Sequence, residues 1–430
     1  MRFYKSAIFF SIIFVSYSSL AKDSVFRDNF KDSTLRIDYI FGGKRGNPQI
    51  NLDGQEVTPG WAGRRTLLDE VPLEGNGQIM VLSLTGDTLY RNPFSSLFQE
   101  WLNTPEASQR AMSMESCFLV PEPKDSARIV LTLFDGYRKP MANHEYLFIP
   151  DDILIRKPDV SSPLNHHYIH RSGDPKNKID VAILAEGYTY EEMDSFMIHA
   201  STAVQSILFH EPFKSRADDF NFVAVETPSK DSGVSVPRFG QWKDTAFSSH
   251  YSTFYSNRYL TTTSVKSIYD ALRGIPFEHI IILANENEYG GGGIYNFYTL
   301  TTSKNKLFWP VVTHEFGHSF GGLADEYFYE NDDMTDELVY PDGVEPWEGN
   351  ITTMTDFSSK WTNRIKPDQT IPTPTGTKGV GIFEGGGYRT TGVYRPVDRD
   401  CRMRFNDAEA FCPVCQDVLL KVIDFYIEKD

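Results

Sequence analysis

The run that concentrates the most chemistry is 311–327, VVTHEFGHSFGGLADEY. His314 and His318 stand four residues apart. That is one helical turn, so on a helix both imidazoles face one side and reach a single metal ion. Glu315 lies beside the first histidine, where a carboxylate can address a water on that ion without ligating it. Gly321 and Gly322 follow, at the point where a helix ends and the chain turns sharply. Past the turn stand Asp325 and Glu326. A carboxylate carried back to the two imidazoles closes a three-ligand zinc site with a fourth position left for water. Two satisfied core histidines are the bland reading of the same spacing. The glutamate between them and the acids beyond the turn argue against it.

The helix carrying this run needs a scaffold, and the surrounding pattern supplies one. Thr313 offers a cap position for the helix. From residue 179 onward the pattern is α/β. Continuous apolar runs at 179–186 (IDVAILAE), 220–226 and 278–285 read as strands covered on both faces. Between them, Met193, Phe196, Ala200, Val204 and Ile207 recur at helical spacing within 189–209. A shorter helix is expected near 264–272. Tyr289 opens a four-glycine turn at 290–293, and the alternating run 294–301 (IYNFYTLT) reads as an edge strand.

Upstream the pattern is all-β. Runs at 35–40, 78–85, 127–134 and 145–149 are rich in β-branched and aromatic residues, with turn signals such as Gly42-Gly43, Gly75-Asn76-Gly77 and Asp135-Gly136 between them. One helix is expected near 93–102. The expected architecture is therefore α+β / α/β: a signal peptide at 1–21, an N-terminal β-sandwich domain at 22–150, a linker at 151–178, and the zinc domain with a mixed sheet at 179–430. The histidines of the linker, His166, His167 and His170, read as exposed loop residues.

Composition narrows the function. The chain has 430 residues, 42 Lys+Arg against 58 Asp+Glu, and a formal net charge of -16. Such an acidic balance argues against a nucleic-acid partner. Arg2 and Lys5, the apolar run 7–15 and the small residues Ser19 and Ala21 form a secretory leader too short to span a bilayer. The expectation is a secreted, periplasmic or cell-surface protein without stable membrane insertion after cleavage. In that compartment Cys401 is expected to form a disulfide with Cys412 or Cys415. Cys412-Pro413-Val414-Cys415 also suggests a zinc knuckle or a redox pair, but a knuckle needs two further ligands, and only Cys401 is close in sequence. An acidic tract (Glu330, Asp332, Asp333, Asp336, Glu337) could bind calcium but lacks EF-hand spacing, and a solvated loop is the better reading. Asn350-Ile351-Thr352 is a formal glycosylation sequon, relevant in a eukaryotic host.

The run His314-Glu315-x-x-His318-x-x-Gly321 resembles the metzincin zinc-peptidase signature. Its extension to Ala324-Asp325-Glu326-Tyr327 resembles the IgA-peptidase family of zinc metallopeptidases. So do Glu211-Pro212-Phe213, Asp231-Ser232-Gly233, Tyr289-Gly290-Gly291, the glycine run 383–388, Cys401-Arg402-Met403-Arg404 and the Cys412–Cys415 motif. The resemblance covers about residues 179–420 and implies an N-terminal β-domain of the size read above. It also implies a zinc endopeptidase, with Met403 forming the Met-turn, an apolar floor beneath the metal. One departure stands out: the usual metzincin third-ligand position is Ala324. The resemblance points to Asp325 or Glu326 instead. Asp325 is the choice, being nearer the expected position and shorter. Glu326 is then the alternative ligand, or it hydrogen-bonds a ligand histidine.

The implied mechanism has Glu315 as general base. Tyr388 and Tyr394, beside glycines, are candidate oxyanion donors. A protein or glycoprotein substrate is expected in extended form along the edge strand. The alternative function is an inactive scaffold that binds protein or glycan. The intact His314, Glu315 and His318 argue for the enzyme.

Overall fold

Alternating and continuous apolar runs sort the chain into two kinds of sheet, and a computed structural model describes them over residues 25–328 and 339–427. The first part is antiparallel. Strands β1 (Phe30–Lys44), β2 (Asn47–Pro59), β3 (Gly77–Leu82) and β4 (Thr88–Phe94) precede helix α1 (Leu97–Leu102). Strands β5 (Met112–Pro123), β6 (Ala127–Phe134) and β7 (Pro140–Phe148) follow. They form a three-stranded sheet, β2-β1-β5, and a four-stranded sheet, β4-β3-β6-β7. Phe41, Phe94, Phe98 and Phe118 pack ring against ring between them. Helix α1 starts at Leu97 because Pro93 and Phe94 finish β4, and the Ser96 side chain caps it by accepting from the Gln99 N–H.

The second part is a six-stranded mixed sheet. Its elements are β8 (His166–Arg171), β9 (Ile179–Glu186), α2 (Met193–Phe209), β10 (Phe220–Val225), α3 (Val265–Ala271), β11 (His279–Ala284), β12 (Gly291–Ile294), β13 (Tyr298–Thr302) and α4 (Phe308–Gly321). The strand order is β12-β13-β11-β9-β10-β8. The four inner strands run parallel, and β12 and β8 run antiparallel at the two edges. Every residue of β9, β10 and β11 is buried, as expected of strands covered on both faces. A hairpin, β14 (Phe383–Gly386) and β15 (Arg389–Arg395), and the helix α5 (Pro413–Ile427) complete the described chain. No described helix is long and apolar enough to cross a membrane.

Three sequence expectations change here. The segment read as a linker contributes β8, which pairs through His166, His167 and His170 with β10. The edge strand is the glycine run itself, β12. The run 294–301 instead turns at 295–297 and enters the sheet as β13. The helix of the histidine motif begins five residues before Thr313. Thr313 therefore lies inside it, and its hydroxyl bonds that of Ser206 on α2 at 2.8 Å. Pro310 is tolerated in the first turn, where no intrahelical partner for its missing N–H is needed.

The two parts are in direct contact. The Ser95 N–H donates to Tyr295 O, and the Asn296 side chain donates to Pro93 O, each at 2.9 Å. Arg273 donates to both Glu56 carboxylate oxygens at 2.9 Å. One apolar cluster runs from the antiparallel sheets to the upper face of the mixed sheet.

Candidate metal centre

Helix α4 lies between the mixed sheet and α5 and carries both histidines on its partly open face. It ends at Gly322, whose φ of 56° is left-handed and suits glycine. The Gly322 N–H donates to His318 O at 2.9 Å, and the Leu323 N–H donates to Gly317 O at 3.2 Å. The chain then runs back along the helix. Asn350 clamps it there: Oδ1 accepts from the Ala324 N–H at 2.8 Å, and Nδ2 donates to Ala324 O at 2.9 Å.

This return brings Asp325 to the imidazoles. Its Oδ1 lies 3.1 Å from His314 Nε2 and 3.2 Å from His318 Nε2, and the two nitrogens are 3.1 Å apart. His314 Nδ1 faces Arg402 O at 2.9 Å, and His318 Nδ1 faces Leu323 O at 2.5 Å. Carbonyl oxygens only accept, so each Nδ1 carries a proton, and in the neutral imidazole each Nε2 then presents its lone pair to the centre. With Nε2 unprotonated, two lone pairs and a carboxylate oxygen converge at distances that would suit a cation placed among them. Ligands on a tetrahedral zinc with bonds of about 2.1 Å stand about 3.4 Å apart, close to the spacing found. Among the protein groups alone, burial would raise the Asp325 carboxyl, but the charges of His318 and His314 hold it well below the usual range. His318 is carried up to about 9, with Asp325 overcoming its burial.

Glu315 is 8% exposed and sits beneath β12. Burial pushes its carboxyl up, against the pull of the two histidines and the Gly293 backbone N–H. The glycines of β12 are a steric necessity. A Cβ on Gly293 would collide with the Glu315 carbonyl and come within 2.8 Å of His318 Cβ, and one on Gly291 would stand 3.2 Å from Glu315 Oε1. The edge strand can therefore lie directly on the histidine helix.

The remaining expected residues divide. Met403 is fully buried, and a Cβ on Gly317 would stand 2.9 Å from its sulfur, so it packs against the helix one residue before His318. The Tyr388 hydroxyl donates to Asp325 Oδ2, and the Gly387 N–H donates to Asp325 O at 2.8 Å. Tyr394 is held elsewhere on β15, bonded through its backbone to Thr352. Glu326 turns away from the imidazoles. It is fully buried, with Oε1 accepting from Asn350 Nδ2 at 3.2 Å and facing Cys401 and Cys415. All four cysteines are free thiols, so the expected disulfide of Cys401 is not formed. The acidic tract and the leader lie outside the described residues.

Sequence reasoning missed Asn350 as a positioning residue. Its formal sequon points to the surface, yet Asn350 is fully buried against the loop of Asp325 and cannot carry a glycan there. It also missed Tyr259, whose hydroxyl donates to Glu100 of α1 and whose ring packs where a Cβ on Gly292 would fall, 2.7 Å away. Nothing in local spacing marks either residue.

The family model described as IgA Peptidase M64 matches residues 168–378 and 375–423. The chain belongs to the IgA peptidase M64 family. As an M64 member it is a metallopeptidase, an enzyme that uses a metal ion to hydrolyse protein substrates. A second model, Peptidase M64 N-terminus, matches residues 25–144, which cover the two antiparallel sheets as far as the middle of β7. The main M64 match begins at residue 168, within β8, in keeping with that strand's place in the mixed sheet. No curated protein matches the chain. Among the described residues, two groups of side chains could hold a metal ion: His314, Glu315 and His318, and the set Glu326, Cys401, Cys412 and Cys415.

Proposed function

We propose that the chain is an exported zinc endopeptidase whose catalytic ion is held by His314, His318 and Asp325, with Glu315 as general base. The observation that carries this reading is the convergence of His314 Nε2, His318 Nε2 and Asp325 Oδ1 to within 3.1–3.2 Å. Zinc suits two imidazoles and a carboxylate with one position open. When bound, the ion supplies Lewis acidity and an acidified water. Glu315, buried beside the histidines, takes a proton from the nucleophile and passes it to the leaving amine. Tyr388 orients Asp325 through its hydroxyl and is the nearer of the two tyrosines for an oxyanion role. Met403 forms the apolar floor under α4.

A protein or glycoprotein substrate runs extended beside β12, the outermost strand of the mixed sheet on the side of Glu315. Export rests on the leader in residues 1–21. The catalytic part is read as metzincin-like, and the two antiparallel sheets as a sandwich packed on it. The test is Glu315→Gln. Zinc content should stay at the wild-type level while hydrolysis of a protein substrate falls by roughly 10²–10⁴-fold. Hydrolysis at the wild-type rate would overturn the assignment.

A further inference from the structure

The cysteine cluster behind the catalytic centre has the composition of a second metal site. Cys401, Cys412 and Cys415 are buried and meet around the fully buried carboxylate of Glu326. The four ligand atoms all lie within 4.8 Å of one another. Cys401 Sγ and Cys415 Sγ are 3.6 Å apart. Glu326 Oε1 is 3.4 Å from Cys401 Sγ, 3.1 Å from Cys415 Sγ and 3.9 Å from Cys412 Sγ. Sulfurs on a tetrahedral zinc with bonds of about 2.3 Å stand about 3.8 Å apart, which these separations approach. Glu326 Oε2 has no hydrogen-bond partner although it is buried. Apart from Asn350 Nδ2 on Oε1, this buried carboxylate faces only three weak thiol donors, fewer partners than its burial demands.

The local backbone also favours thiolates. The Cys412 N–H points at Cys401 Sγ (3.4 Å), and the Cys415 N–H points at Cys412 Sγ (3.5 Å). Cys412 immediately precedes α5, and Cys415 lies in its first turn, at the positive end of a fifteen-residue helix. Cys412-Pro413-Val414-Cys415 lacked a fourth ligand when read along the sequence. The fold supplies it from 86 positions upstream, through Glu326. A disulfide fits less well: with three cysteines, any single bridge leaves one buried thiol and the carboxylate unneutralised.

We propose that Cys401, Cys412, Cys415 and Glu326 bind a second, structural zinc ion in a closed site. It ties the Met403 turn and the start of α5 to the loop that carries Asp325. The Glu326 N–H already donates to Met403 O at 2.9 Å, so the ion would close a ring around that contact. Ion binding displaces the thiol protons to solvent and involves no oxidation.

The test uses the full chain with zinc alone as probe. Metal per chain is measured on protein freed of loose zinc, and thiols are counted after denaturation with chelator present. The wild type should carry two zinc ions and four thiols. A His314→Ala/His318→Ala variant should keep one zinc and four thiols. Its cobalt-loaded form should show a thiolate-to-cobalt charge-transfer band that Cys412→Ser/Cys415→Ser removes. A wild type with two thiols would overturn the proposal in favour of a disulfide. A double-histidine variant without metal, or a cobalt form without the thiolate band, would overturn it directly. A wild type with one zinc that the double-histidine variant retains supports the cysteine site while removing support for the catalytic one, so the two readings fail separately.

Discussion

Asp325 and Glu326 are neighbours in sequence and opposites in surroundings. Asp325 faces two imidazoles whose side chains are 12% and 14% exposed, under the edge strand where a peptide can arrive. Glu326 faces three thiols in a pocket shut off from solvent. After the turn at Gly322 the Asp325 side chain points to the imidazoles, and that of Glu326 points to Asn350 and the thiols. Asn350 holds that backbone from one flank, and the hairpin at Gly387 and Tyr388 holds it from the other. One short segment thus carries a carboxylate of the proposed catalytic site on one side and of the proposed closed site on the other. On the proposed reading, Asp325 (6% exposed) holds the catalytic ion and the fully buried Glu326 holds the loop in place.

Exchanging the two acids for alanine separates the sides most sharply. Asp325→Ala should abolish protein hydrolysis and remove one metal, with melting behaviour that still shows a folded chain. Glu326→Ala should instead lower the melting temperature and leave residual hydrolysis. If Glu326→Ala alone removes the catalytic ion, the division of roles is wrong. A smaller effect should come from Tyr388→Phe, which removes the hydroxyl on Asp325 Oδ2. Loss of such an outer hydrogen bond costs roughly 10–100-fold in metal affinity or activity, and metal titration with activity assays reads both. The thiol side should not respond to it. Smaller again for activity, Asn350→Ala leaves the Ala324 N–H and C=O without their partner, and chemical denaturation should show a loss of about 2–4 kcal/mol. Both carboxylates hang from that backbone, so both metals should weaken together. Selective loss of one would show that the clamp serves a single side.

Much of this was legible in the sequence where the signal was local. The His314–His318 spacing, the buried strands β9, β10 and β11 and the helix α2 follow from periodicity within a few residues. What escaped depended on contacts between distant positions. The glycines 290–293 read as a turn because glycine marks turns more often than strands. Their need to lie against Glu315 and His318 is visible only once β12 is on α4. β8 was lost in a Pro- and Ser-rich stretch because a single edge strand facing solvent has little apolar pattern. Asn350 carried a misleading sequon. The Cys412–Cys415 motif reads as incomplete along the sequence because only Cys401 is near it, and Glu326, which faces it in the fold, stands 86 positions upstream. Length and position favour Asp325 over Glu326, and Asp325 is the carboxylate found beside the imidazoles.

The most direct test of this division is a crystal of the zinc-loaded protein with diffraction recorded on both sides of the zinc absorption edge. The account predicts an anomalous peak bounded by His314 Nε2, His318 Nε2 and an oxygen of Asp325, with Glu326 pointing away from it. A peak at the histidines ligated by Glu326, or no peak at the histidines, would contradict it.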